Sequence, residues 1–223
     1  MGYVVVIEGT DGCGKQTQAE RLTSRLQEKG LKVKKVSFPN YDSPSSAPVK
    51  MYLGGDFGDS DMLLDAYQAS VLFSVDRMCT FEKDLRKFYE DGGILVFDRY
   101  VQSNMLHQAG KIGNLSDIND YCDWLEQLEF DTLKLPRPNR VIFLDVPVEL
   151  SMKLARERGQ LKVGREKDIH EKNPEHLMHA YTSGKYMVDK YGWTSITCNN
   201  GENMRTIEDI SDEIYNIVSK DIM

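Results

Sequence analysis

The sequence predicts an α/β fold, a doubly wound parallel sheet of five strands flanked by helices. Three observations carry that expectation. Short apolar runs recur with almost no polar break, as strands buried on both faces require: Tyr3 to Ile7 (YVVVI), Ile94 to Phe97 (ILVF) and Arg140 to Val146 (RVIFLDV). Between such runs lie helix-length stretches with apolar residues on one stripe. The first run also feeds a glycine-framed turn, Gly9-Thr10-Asp11-Gly12-Cys13-Gly14-Lys15, that opens directly into a helix.

At 223 residues the chain is long enough for one such domain with a sizeable core, so residues 1–223 are read as a single domain. No continuous apolar run approaches the length of a membrane span, and the N-terminus enters the first strand at once. A soluble, cytoplasmic protein with no membrane partner is expected. The net charge of −7 argues against general nucleic-acid binding, although arginines can still be concentrated in one cleft. Cys13, Cys79, Cys122 and Cys198 are scattered without metal-ligand spacing and imply neither a zinc site nor a disulfide framework.

The first strand, Tyr3 to Ile7, is followed by Gly9, four residues, Gly14 and Lys15, the frame of a phosphate-binding loop. Its glycines let backbone N–H groups converge on an anion, and the following helix aims its positive end at the same place. Lys15 can reach terminal phosphates. Gly9, Thr10, Asp11, Gly12, Cys13, Gly14, Lys15, Gln16 and Thr17 are therefore the candidate nucleotide-binding residues. The hydroxyl residue normally found after the lysine is replaced by Gln16, with Thr17 one place later. An amide oxygen is a weaker partner for Mg²⁺ than a hydroxyl at this position, so metal binding should lean on waters and a carboxylate elsewhere. Asp11 is either a turn former or a carboxylate facing a neutral hydroxyl of a second substrate. Cys13 is either an inert loop residue or, at a helix N-terminus in an anion site, a thiol of lowered pKa.

The helix GKQTQAERLTSRLQEKG carries Ala19, Leu22 and Leu26 on one stripe and closes at Gly30. LKVKKVSF gives the second strand, which runs into Phe38-Pro39-Asn40-Tyr41-Asp42-Ser43-Pro44, a loop that is either structural or ligand-binding. The longest helical pattern is placed from about Asp61 to Glu90, ended by Asp91-Gly92-Gly93. Within it Phe73 and Arg77 lie four apart and share a face. They are either core and surface ion pair, or a pair that stacks on and hydrogen-bonds a flat base. The third strand delivers Asp98, Arg99 and Tyr100 to the same sheet edge as the loop: Asp98 can anchor Mg²⁺ waters and Arg99 can grip phosphate bidentately. The next turns put Asn104, His107 and Gln108 on one face, and with Ser103 they would suit a base.

GTDGxGK, an Arg four residues after a Phe in a long helix, and DRYxxSNxxxQ (Asp98 to Gln108) together resemble the thymidylate kinase family, over about Val4 to Asn200. The resemblance implies a P-loop nucleoside monophosphate kinase fold, transfer of a phosphoryl group from ATP to dTMP, Mg²⁺ as cofactor and a homodimer. By it Asp11 would meet the deoxyribose 3′-hydroxyl, Phe73 would stack on thymine, Arg77 would bond its O4 and Asn104 its N3 edge. Arg99 would hold the acceptor phosphate, Asp98 would organise Mg²⁺, and Phe38-Pro39 would flank the acceptor. Asn40 and His107 depart from the family's usual Arg and Tyr, the latter normally packed against the sugar 2′ position.

Arg140 to Val146 forms a fourth strand, Glu149 to Gly159 a helix, SITCNN a fifth strand, and Met204 to about Val218 a covering helix. The Asn199-Asn200-Gly201 turn falls where adenine packs in the resembled fold. The basic stretch from Arg156 to Lys167 is either a solvated helix end or part of a lid over about 156–172. With Gly12 where some family members carry an arginine, Arg165 is the first candidate to meet the transferring phosphoryl group and Arg158 the second. The rival readings are a kinase for another nucleoside monophosphate or a deoxynucleoside, or a nucleotide sensor without turnover, for which Gln16 is the motivating defect.

Overall fold

The computed structural model describes residues 1–58, 63–161, 174–201 and 203–223. Five parallel strands, β1 (Tyr3–Glu8), β2 (Val33–Ser37), β3 (Ile94–Asp98), β4 (Arg140–Asp145) and β5 (Thr194–Thr197), lie in the order β2-β3-β1-β4-β5. The central strand explains its own composition. Val4 and Val6 enter one core cluster and Val5 and Ile7 another, so every position from Val4 to Glu8 is buried. A strand with one wet face would alternate; a doubly covered one cannot.

The helices among the described residues are α1 (Lys15–Glu28), α2 (Ala47–Gly54), α3 (Ala66–Thr80), α4 (Arg86–Glu90), α5 (Val101–His107), α6 (Leu115–Glu126), α7 (Val148–Leu161), α8 (Pro174–Tyr191) and α9 (Ile207–Ile222). On one face α1 packs Ala19, Leu22 and Leu26 against Val5 and Ile7; on the other, α5 packs Val101 and Met105 beside Val4 and Val6. The chain thus leaves adjacent strands β1 and β3 toward opposite faces of the sheet. That divergence opens a crevice at their carboxyl ends, where ligands of such sheets bind.

The long central helix begins later than the sequence pattern suggests. Asp65 caps it by accepting from the Gln68 backbone N–H at 2.7 Å, and the Gln68 side chain takes the Asp65 N–H at 3.1 Å. This capping box overrides the periodicity that points to Asp61, which lies outside the described residues. A π-helical turn, Phe81–Leu85, carries α3 into α4. Helices α2, α6 and α8 correspond to nothing read from the sequence, and α9 starts at Ile207, where Thr206 accepts from the Asp209 N–H. No helix among the described residues is long and apolar enough to cross a membrane.

Candidate active site

The phosphate loop is built as its glycines require. Gly9, Gly12 and Gly14 take φ of 148°, 88° and 98°, a region closed to most side chains. A Cβ at Gly9 would also meet Cys13 Sγ at 2.7 Å and the Leu144 carbonyl at 2.9 Å. The Lys15 ammonium lies across the loop, donating to the carbonyls of Gly9 and Thr10 at 2.9 and 2.8 Å. Thr10 Oγ1 is buried with no hydrogen-bond partner among the described residues. Gln16 is exposed and its amide donates to Glu20 at 3.0 Å, while Thr17 is half-buried in the first turn of α1. The thiol of Cys13 is not activated. It is 3% exposed, and burial pushes its pKa up, outweighing the cations Lys15 and Arg99 that favour the thiolate. Of the two readings of Cys13, this burial favours the inert loop residue, because desolvation exceeds the pull of the loop's positive charge.

The register brings the other half of the cleft beside this loop. Ile7 and Ser37 both pair with Asp98, so three strand ends are level. Asp98 is buried and accepts from Ser37 Oγ at 3.2 Å. Arg99 follows with φ of 68°, strained for a residue with a Cβ, and its backbone N–H donates to the Ile7 carbonyl at 3.2 Å. Its guanidinium forms an ion pair with Asp11 and contacts Ser103 Oγ at 3.4 Å and His107 Nε2 at 3.1 Å. Burial works against the Arg99 charge, but the carboxylates of Asp11, Glu8 and Asp98 raise its pKa above the ordinary value. Asp11 therefore bridges the two halves, 3.9 Å from the Lys15 ammonium and bonded to Arg99.

Glu8 was absent from the sequence reading, which ended the strand at Ile7. It is fully buried and accepts from the Tyr100 N–H at 3.0 Å and the Ser103 hydroxyl at 2.8 and 3.0 Å. Burial pushes its pKa up, against the opposing charges of Arg99 and Lys15. The available signal was a carboxylate ending an apolar run, a place where it has no reason to be unless it is paired.

The pair sharing a face of α3 is resolved in part. Arg77 is 1% exposed, so it is not a surface ion-pair partner. It donates through Nε to Glu129 Oε2 at 2.8 Å, through Nη2 to Glu129 Oε1, and through Nη1 to the Tyr100 carbonyl at 3.3 Å. Glu129, 52 positions away, sits in the π-helical turn Gln127–Thr132 and is fully buried. These bonds use three of the guanidinium's five donors. Phe73 is half-buried, edge-on to Tyr52 at 6.1 Å.

On α5 and at the residue that closes it, Asn104 and Gln108 are 2% and 1% exposed, and Asn104 Nδ2 and Gln108 Oε1 have no partner among the described residues. One donor and one acceptor, one helical turn apart, are buried without satisfaction, a costly arrangement unless something else satisfies them. The Phe38-Pro39 loop enters the site differently from its side chains' promise: the Phe38 ring is core, 5.5 Å from Phe97, and the peptide to Pro39 is cis. The loop is held by Asp76, buried at 1% exposure, which accepts from the Asn40 N–H at 2.7 Å and Ser45 Oγ at 2.6 Å. Asp76 is another residue the sequence reading passed over. Arg165 lies outside the described residues, as does most of the 156–172 segment; Arg158 falls in α7, with its side chain outside the description.

A phosphate loop at a helix N-terminus, beside a carboxylate- and arginine-lined cleft, defines a P-loop phosphotransferase of the nucleoside monophosphate kinase class. Residues 7–191 match the family model described as thymidylate kinase. A thymidylate kinase of Mycobacterium tuberculosis is 30% identical over 175 residues, covering 77% of this chain and 79% of its own. A probable thymidylate kinase of Thermococcus gammatolerans is 29% identical over 225 residues, covering 100% of this chain and 99% of its own. Another, of Pyrococcus abyssi, is 30% identical over 161 residues, 72% of this chain and 73% of its own. The chain belongs to the thymidylate kinase family, ATP-dependent kinases of dTMP.

Proposed function

We propose that this chain transfers the terminal phosphoryl group of ATP to dTMP, giving ADP and dTDP, with the work divided between the two halves of the cleft. The loop from Gly9 to Thr17 takes the ATP phosphates, with Lys15 turning from the Gly9 and Thr10 carbonyls to the anion. The acceptor half is formed by Phe38, Pro39, Phe73, Arg77, Arg99, Ser103, Asn104, His107 and Gln108, with Asp11 at the sugar. The observation that carries the base assignment is the buried pair Asn104 Nδ2 and Gln108 Oε1, which have no partner among the described residues. A pyrimidine edge with a ring N–H between carbonyls can satisfy both a donor and an acceptor, and the two remaining Arg77 donors suit a further carbonyl.

The acceptor phosphate is a nucleophile near neutral pH, so no strong general base is needed. Catalysis rests on alignment and charge neutralisation by Lys15, Arg99 and an arginine of the 156–172 segment, Arg165 first and Arg158 second. Among the described residues no group of three or more His, Cys, Asp or Glu could hold a metal. A single carboxylate with water-filled coordination is what Mg²⁺ accepts, so Asp98 would hold it through waters and Gln16 is the weaker donor. The ion would offset charge on the ATP phosphates.

The reading also carries a homodimer and a cytoplasmic location. The exposed apolar stripe Tyr67, Val71 and Val75 on α3 supports the first. The test is a panel of dTMP, dUMP, dCMP, dGMP and thymidine with Mg-ATP, following ADP release. dTMP is expected to lead; preference for a purine overturns the base assignment, and ATP binding without dTMP-dependent turnover makes the protein a sensor.

A further inference from the structure

Deepening that reading, and resting on it for the role of Arg99, we infer that His176 of α8 is a positioning residue that holds the His107 imidazole in the one tautomer able to accept from Arg99. The argument starts from a donor that cannot accept. Arg99 Nη1 lies 3.1 Å from His107 Nε2, and a guanidinium has only N–H groups, so Nε2 carries a lone pair and His107 is neutral. Its ring proton is then on Nδ1. Nδ1 lies 3.1 Å from His176 Nε2, which must therefore be unprotonated, leaving the His176 proton on its own Nδ1.

The ring geometry agrees. The two planes differ by 11° with centroids 5.3 Å apart, and the nitrogens meet at 3.1 Å. The rings therefore meet edge to edge in nearly one plane, which points the N–H along the lone pair. Both rings are buried, 9% and 5% exposed, so water competes poorly for these positions. Arg99 is thus held by a carboxylate on one Nη, Asp11, and by a neutral acceptor on the other. The neutral acceptor matters because it orients the guanidinium without adding to the negative charge that an incoming phosphate must meet.

His176 touches neither nucleotide in this scheme and acts through His107. Removing its acceptor lets the His107 ring turn over or exchange tautomers, which would present an N–H to Arg99 and displace it from the acceptor phosphate. A hydrogen bond of this kind corresponds to a three- to tenfold effect, on the order of 0.7 to 1.4 kcal/mol.

The test compares His176→Leu and His176→Gln with the wild type. The Gln side chain can place its carbonyl oxygen near the Nε2 position and accept from His107 Nδ1. His176→Leu is expected to raise KM for dTMP about three- to tenfold while KM for ATP stays constant, and His176→Gln to restore most of the loss. An unchanged KM for dTMP in His176→Leu, an equal rise for ATP, or a Gln variant no better than Leu overturns the inference. A second readout does not depend on turnover or on the variants folding. Long-range ¹H–¹⁵N NMR of the wild-type imidazoles at about pH 8, above the ordinary imidazole value of about 6.5, should show His107 as the Nδ1–H tautomer. An Nε2–H tautomer or an imidazolium overturns it. Wild-type protein inactive on dTMP would instead sink the functional reading and leave the tautomer result standing.

Discussion

Arg77 illustrates how far one residue's meaning depends on a partner distant in sequence. Four-residue spacing places it with Phe73, but only Glu129 explains how a guanidinium exists at 1% exposure. The burial penalty on its charge is opposed by that carboxylate, which raises the Arg77 pKa. Glu129→Ala would leave the cation buried and alone, so a loss of about 3–5 kcal/mol in denaturant unfolding is expected. Double replacement of Arg77 and Glu129 by apolar residues of similar size should recover much of the stability while abolishing dTMP binding. Cys13 gives a second residue-scale prediction. Burial holds its thiol protonated near neutral pH, so native iodoacetamide labelling, read by peptide mass mapping, should favour the half-buried Cys79 and reach Cys13 only on unfolding.

Elements in this protein are placed by the sheet and aimed by their ends. Helix α5 is short and carries no side-chain cap, yet its Ser103 and His107 both meet Arg99, which precedes the helix at positive φ. Helix α3 presents two faces: Arg77 buried against Glu129 with Phe73 edge-on to Tyr52, and Tyr67, Val71 and Val75 outward at 39%, 43% and 37% exposure. The outward residues recur every four positions, a stripe that a second copy could cover. For the proposed homodimer and base site, Val71→Asp combined with Val75→Asp is expected to give a monomer in sedimentation, with lowered activity. The capping box at Asp65 and Gln68 was available as a sequence signal for the start of α3, whereas the π-helical turns were not, since they follow from what the next segment must reach.

At the scale of the molecule, the parallel order β2-β3-β1-β4-β5 makes one carboxyl edge carry the loop, Asp98, Arg99 and the Phe38 turn together. The five strands, the phosphate loop and the DRY segment were legible in the amino-acid sequence, because apolar runs and glycine frames are local consequences of burial and backbone freedom. Helices α2, α6 and α8 were not, because their positions answer to the surfaces they cover. The same division holds for the site. Which residues have side chains suited to phosphate or to a flat base is a matter of residue type and spacing, and that much is determined by the sequence. Glu8, Asp76, Glu129 and His176 acquire their roles only through contacts across 95, 36, 52 and 69 positions. Those contacts exist only once the chain is folded, and the tertiary structure alone decided them, because a buried charge or proton is specified by the partner it meets.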